Sequence, residues 1–391
     1  MMSADELYMH RCLQLALNGE IGAPPNPMVG AVIVCDDRII GEGFHARCGE
    51  AHAEVNAFAS VSKADERLLS QSTLYVSLEP CAHYGKTPPC ADLVIRKGVR
   101  RVVVGCIDPF AKVQGRGIQM LRDAGIDVTV GVLEQECRWL NRKFFTFHTH
   151  HRPYITLKWA QTADGVMGEL GGGPLLISNP ATLRHSHHLR AVNSAILVGW
   201  RTNVNDSPSL TTRHYSGPNP RRIIYDSHAE TIPQLLSRLY SEGVQSLLVE
   251  GGAATHSQFL DLGLWDEIHQ ELGVRSYELG VKSEELGVGS EELGVKSEEL
   301  GVRSEELGVK SEELGVGSEE LGMPKASRAA HRLSAKPVPI SKSCESEAAI
   351  KSEELGVKPQ TKIICAPKLD LQPSWQETIG THRILHYYNY K

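Results

Sequence analysis

Short apolar, β-rich runs alternate with helical patterns along residues 1–268, and this constrains the fold more than any other feature. Val29–Val34 is a continuous apolar run, as expected of a buried strand. Ile39–Gly43 pairs back on it through Asp36-Asp37-Arg38. Thr73–Leu78, Arg101–Gly105 and Asp127–Val130 read as further strands. Helical patterns fall between them at Met9–Leu17, Ala53–Val61, Ala91–Lys97 and Gly117–Ala124, and Gly98 is placed to end the third. The style then repeats. Pro153–Trp159, Ala195–Val198, Arg222–Tyr225 and Ser246–Val249 read as strands. The intervening helices are one capped by Ser178 or Asn179 with Pro180 in its first turn, Ile232–Tyr240, and Ala254–Leu262. Two layered α/β domains are expected, over residues 1–147 and 152–268.

The pattern then breaks. Ser283–Gly289 recurs with period seven through Glu320, and again at Ser352–Lys358. Leu286 and Val288 are two apart, so they form no coiled-coil seam. A Gly in every unit also costs about 1 kcal/mol of helix stability. Residues 270–358 are therefore expected to be a low-complexity, disordered insertion, with residues 359–369 returning to the second domain.

Composition excludes several classes. At 41% hydrophobic residues the chain can bury a core. A net charge of −6 disfavours a nucleic-acid partner, which needs many cations to replace counterions. No apolar run approaches the roughly 18 residues of a membrane helix. The acidic Met1–Glu6 start has no apolar segment of a secretory signal. A cytoplasmic protein is expected, its nine cysteines serving as core residues or metal ligands rather than disulfides.

The chemistry is concentrated in the first domain. His52-Ala53-Glu54 opens a helix, Pro80-Cys81 ends a strand, and Cys90 follows. One imidazole and two thiolates suit Zn²⁺ and leave a fourth position for water. Zinc lowers the pKa of that water to about 7. Glu54 is placed to take its proton and pass it to a ring nitrogen and a departing amine. Singly, each residue would pass for a core cysteine or a surface histidine. Together, each at a strand-to-helix junction, they do not. The general zinc-deaminase signature has two residues between the cysteines. Here the intervening loop is Ala82–Pro89.

With that loop, the domain resembles the riboflavin-biosynthesis pyrimidine deaminases, a branch of the cytidine-deaminase-like family. The resemblance runs through Pro25–Gly30, Gly43–His45, Gly49–Glu54, Glu79–Cys81, Gly85–Cys90, Asp108-Pro109 and Gly115–Gly117. It implies a three-layer α/β/α domain that deaminates a phosphoribosylated diaminopyrimidinone. It also implies substrate contacts from Asn26, His45, Lys86 and Asp108.

In that family a reductase resembling dihydrofolate reductase is fused behind, and the second domain is similar to it. The matching segments are Leu157–Ala160, Asp164-Gly165, Leu189–Ala191, Thr202–Arg213 and Val249–Gly252. The resemblance implies that Arg190, Leu210, Arg213 and Glu250 hold substrate, the two arginines clamping a phosphate. It assigns NADPH to Ala160, Thr202, Asp206 and the Gly251-Gly252 turn. It is also compatible with a homo-oligomer.

Three departures predict a weak or lost reductase. Pro174 and Leu176 stand where the family has a hydroxyl and an aromatic. The connection from Asp226-Ser227 to the helix near Ile232 is too short for a further strand. The insertion falls where a strand should continue after Ile268. The alternative is the full bifunctional enzyme. A nucleic-acid base deaminase would need a basic face and a two-residue cysteine gap. A non-enzymatic tether would leave the zinc and Glu54 set without a role.

Overall fold

The computed structural model describes residues 2–84, 88–110, 114–169, 175–274, 363–367, 369, 371–379 and 382–389. The period-seven repeat beyond Val274, Lys86 and Pro174 lie outside the described residues.

The first domain runs α1 (Ala4–Leu17), β1 (Gly30–Cys35), β2 (Arg38–Phe44), α2 (Ala53–Ser60), a 3₁₀ turn (Glu66–Gln71), β3 (Thr73–Leu78), α3 (Cys90–Lys97), β4 (Arg101–Cys106), α4 (Arg116–Asp123) and β5 (Asp127–Val130). The strands form one sheet in the order β2-β1-β3-β4-β5. β1 is antiparallel to β2 and β3, while β3, β4 and β5 are parallel. Alternation along the strands makes the layers. Ile33, Leu74, Val76, Val102 and Val104 face Ala57, Val94 and Leu121 of α2, α3 and α4. Their neighbours Val32, Tyr75 and Val103 face the opposite layer, with Met9 and Leu13 of α1. The expected three-layer domain is thus observed.

Two further helices, α5 (Glu134–Leu140) and α6 (Arg142–His150), lead out of this domain. Cys137, Leu140 and Phe145 complete the α1 layer.

The second domain continues with β6 (Tyr154–Gln161), β7 (Val166–Glu169), α7 (Pro180–Ala191), β8 (Ala195–Gly199), α8 (Trp200–Asp206), β9 (Arg221–Tyr225), α9 (Ile232–Ser241), β10 (Ser246–Val249), α10 (Ala253–Asp261), β11 (Glu267–Leu272), β12 (Ile363–Cys365), β13 (Trp375–Ile379) and β14 (His382–Tyr388). Seven strands form a sheet in the order β13-β14-β11-β6-β10-β8-β9. Ile155, Leu157, Leu247 and Val249 pack on Leu235, Leu239 and Phe259 of α9 and α10. Ile196, Val198 and Leu248 pack on Leu189 of the opposite layer.

Two expected boundaries need correction. The insertion was expected to begin at residue 270 and so to break the strand after Ile268. β11 instead continues through Leu272, and its last two residues open an Glu-Leu-Gly-Val unit of the repeat type. A strand requires backbone pairing, and β6 supplies it as far as Leu272–Gln161. The buried Glu271 that results is met by Lys158 at 3.4 Å and Ser178 at 2.9 Å. The second domain was also expected to end at residue 369. Its sheet takes in β13 and β14, because β14 pairs antiparallel along all of β11. The short connection after Tyr225 leaves β9 as a sheet edge, with Arg221 and Arg222 exposed along it.

Candidate metal centre and second-domain site

The first site is built where three element ends meet. His52 is the N-cap of α2, yet its side chain makes no cap bond, which leaves the imidazole to turn elsewhere. Its Nδ1 lies 3.6 Å from Cys81 Sγ and 3.4 Å from Cys90 Sγ. Cys81 follows β3, and Cys90 opens α3 behind Pro89. The Cys90 backbone N–H donates to Cys81 Sγ at 3.2 Å. Thiolate is favoured there, because a helix N-terminus attracts negative charge. Hydrogen bonding from Cys90, against the cost of burial, holds the Cys81 thiol well below the ordinary thiol range. The three ligand atoms lie within 4.8 Å of one another. One nitrogen and two sulfurs at this separation fit Zn²⁺.

Glu54 lies in the first turn of α2, 3% exposed. Burial, reinforced by the Cys81 thiolate, pushes its carboxyl up to about 7. It stands two residues after His52 at the start of α2, beside the metal position.

Asn26 and His45 come together next to this centre. Asn26 Nδ2 is 3.1 Å from His45 Nε2, and His45 Nδ1 is 3.0 Å from the Ala51 carbonyl. The carbonyl can only accept, so Nδ1 carries the proton and Nε2 accepts from the Asn26 amide. The amide oxygen of Asn26 is then turned away from His45. His45 is 3% exposed, and both its ring nitrogens are engaged in these two contacts. Asp108 is buried, its carboxyl pushed up to about 6 by burial against a 2.8 Å bond from the Phe110 N–H.

One residue that sequence reasoning passed over supports this group. Asn141, between α5 and α6, bonds both backbone groups of Met28 at 2.8 Å, holding the segment that carries Asn26. An asparagine between two helices carries no sequence signal of that partnership.

The second site gathers at the carboxyl ends of parallel strands, where ligands of open α/β sheets bind. The Gly251-Gly252 turn follows β10 and leads into α10. A Cβ on Gly251 would lie 2.4 Å from Gly199 N and 2.5 Å from Val198 Cα, so the turn requires glycine. Thr202 Oγ1 accepts from the Gly252 N–H at 3.1 Å. Asp206 is exposed at the end of α8, and Ala160 is half-buried near the end of β6.

Arg190 and Arg213, expected as a pair, take different partners. Arg190 is committed to Glu250 through two bonds of 2.9 and 2.6 Å, and donates to the Thr211 carbonyl at 3.0 Å. A guanidinium only 12% exposed needs such a counter-charge. Arg213 is exposed and bonds Ser209 instead. Leu210 is a core side chain with φ of 54°, which leaves only its backbone for a ligand. A left-handed leucine costs about 1–3 kcal/mol. Leu176 is exposed.

A cavity of about 260 Å³ is lined by residues of both domains, among them Asn26, Lys143, His185, His188 and Glu267. Among the described residues no helix is long and apolar enough to cross a membrane.

Comparison with known proteins agrees with both halves. Residues 2–106 match the cytidine and deoxycytidylate deaminase zinc-binding region. Residues 153–234 and 230–273 match the RibD C-terminal domain. The riboflavin biosynthesis protein RibD of Aquifex aeolicus is 38% identical over 307 residues, spanning 68% of this chain and 85% of the relative. The solved Thermotoga maritima diaminohydroxyphosphoribosylaminopyrimidine deaminase/5-amino-6-(5-phosphoribosylamino)uracil reductase is 37% identical, with a TM-score of 0.63 over 68% of this chain and 86% of that one. Acinetobacter baumannii RibD is 32% identical, with a TM-score of 0.62 over 69% and 86%. Both domains are matched in the same order on one polypeptide, and the chain belongs to the RibD family of riboflavin-biosynthesis deaminase/reductases.

Proposed function

We propose that the first domain hydrolyses 2,5-diamino-6-(5-phosphoribosylamino)pyrimidin-4(3H)-one to 5-amino-6-(5-phosphoribosylamino)uracil and ammonia. The observation that carries this reading is the convergence of His52, Cys81 and Cys90 beside a buried Glu54. His52, Cys81 and Cys90 would hold Zn²⁺, which would supply Lewis-acid activation of a water, lowering its pKa toward about 7. Glu54 moves one proton of the attacking water to the ring nitrogen and the second, from the resulting hydroxyl, to the departing amine. Water adds at the ring carbon, the carbon–nitrogen bond breaks, and a carbonyl remains. Asn26, oriented by His45, and Asp108 bind the ring. Lys86 contributes to holding the substrate phosphate.

A second reading concerns the other domain, which reduces the product at its ribosyl carbon with NADPH. The completed sheet favours it, together with the meeting of Arg190, Glu250, Thr202 and the Gly251-Gly252 turn. Substrate contact then falls to Arg213, Glu250 and the Leu210 backbone, with Arg190 holding Glu250 in place. NADPH lies along Ala160, Thr202, Asp206 and the glycine turn.

Both readings are tested on the purified full chain. Ammonia is measured with the diaminopyrimidinone, and NADPH absorbance is followed with the deaminated product. Ammonia release with NADPH consumption supports both. Ammonia without NADPH consumption confines the activity to the first domain.

A further inference from the structure

Glu79 directly follows β3 and precedes Pro80-Cys81. It is 4% exposed. Its Oε1 accepts from the backbone N–H groups of Gly117 at 2.9 Å and Ile118 at 3.3 Å. Its Oε2 accepts from those of Gly115 at 2.9 Å and Asp108 at 3.3 Å. The first N–H groups of a helix have no partner within the helix. α4 begins after Gly115, which has no side chain to cap it. Glu79 supplies that cap from another strand.

The fit is close. A Cβ on Gly117 would lie 2.0 Å from the Pro80 carbonyl oxygen, so only glycine lets α4 dock here. The Glu79 N–H donates to the Cys106 carbonyl at 3.0 Å, which fastens the end of β3 to the end of β4. Asp108 follows two residues later. One side chain therefore ties the metal ligand Cys81 to the segment carrying Asp108.

We propose that Glu79 is a positioning residue for deamination: it sets Asp108 at a fixed distance from the Cys81 side of the metal centre, and so fixes the substrate ring against it. The proposal rests on the deaminase reading. Glu79 touches no reacting atom and acts through Asp108.

The test uses the zinc-loaded full chain, with KM and kcat for the diaminopyrimidinone measured by ammonia release. Glu79→Gln replaces one acceptor oxygen with an NH₂ group that opposes two backbone donors. Zinc content should match the wild type, KM should rise about tenfold, and kcat should change less. Glu79→Asp, which shortens the reach, should give a smaller rise in KM and serves in the same comparisons if the Gln variant does not fold. Asp108→Asn should itself raise KM. Added to Asp108→Asn, the Glu79 substitution should then have almost no further effect, because residues acting as one unit are not additive. A wild-type KM in a Glu79 variant overturns the proposal, as do fully additive effects in the double variant. A zinc-loaded wild type that releases no ammonia overturns the deaminase reading itself, and this inference with it.

Discussion

Replacing Arg142 by Met should destabilise the protein through one buried carboxylate. Arg142 lies on α6, between the domains, and Glu267 opens β11 of the second. Glu267 is 4% exposed. It accepts from Arg142 at 3.2 Å, the Tyr154 hydroxyl at 3.1 Å and His269 at 2.7 Å. Burial opposes ionisation, but Arg142 and then His269 outweigh it and hold the carboxyl well below the usual range. Methionine keeps the aliphatic stem and removes the charge. Removing one partner of a buried pair costs about 3–5 kcal/mol, because the other charge is left uncompensated. The Arg142 guanidinium also lies 4.6 Å from the Trp139 ring, a contact worth about 0.5–1 kcal/mol.

The pH dependence carries the diagnostic sign. In the wild type the depressed Glu267 contributes stability above its unfolded pKa, and that contribution is lost as pH falls through the folded value. In the variant, burial without Arg142 raises the carboxyl, so acid relieves it by protonation. The stability gap between wild type and Arg142→Met should therefore be largest near pH 7 and shrink toward pH 5. Urea denaturation followed by tryptophan fluorescence measures this at each pH. A gap below about 1 kcal/mol at pH 7, or one constant with pH, would refute the reasoning.

Other expectations follow from single contacts. Cys81→Ala and Cys90→Ala should each lose zinc and lower the thermal midpoint of the first domain, because ligand binding is folding free energy. Undiminished zinc by elemental analysis in either variant removes that residue from the metal centre. Gly251→Ala should cost about 1–3 kcal/mol, since its Cβ meets the backbone of β8 and no flexible side chain can give way. The same variant should weaken NADPH binding, read by fluorescence titration, and wild-type stability would show that the turn has room. Arg190→Met should destabilise the second domain, and adding Glu250→Leu should recover much of the loss, because a buried pair replaced as a pair costs little. A double variant as unstable as the sum of the singles contradicts that account of the pair.

Much of the fold is legible because its strands are continuous apolar runs. Thr73–Leu78 and Ser246–Val249 were delimited to the residue, since both faces of each are covered. α8 was missed for the opposite reason. It has no buried residue, so no apolar face repeats along it. β13 and β14 were missed because polar residues such as His382 and His386 occupy buried positions. At β11 the repeat looked like an interruption. Backbone pairing with β6 accommodates Glu271, and Lys158 and Ser178 meet its charge across long sequence separations. The metal centre was legible because its residue types and junctions are diagnostic in combination. The pairing of Arg190 with Glu250 and the engagement of both His45 nitrogens were not, since each depends on which partner lies opposite in space.

The most direct test of the central claim compares zinc-loaded wild type with Glu54→Gln, supplying the diaminopyrimidinone and measuring ammonia together with zinc content. The predicted result is ammonia release by the wild type, equal zinc in both proteins, and a loss of about 10²–10⁴-fold in turnover by the variant. Wild-type turnover in Glu54→Gln, or a zinc-loaded wild type that releases no ammonia, would contradict the assignment of deamination to this centre.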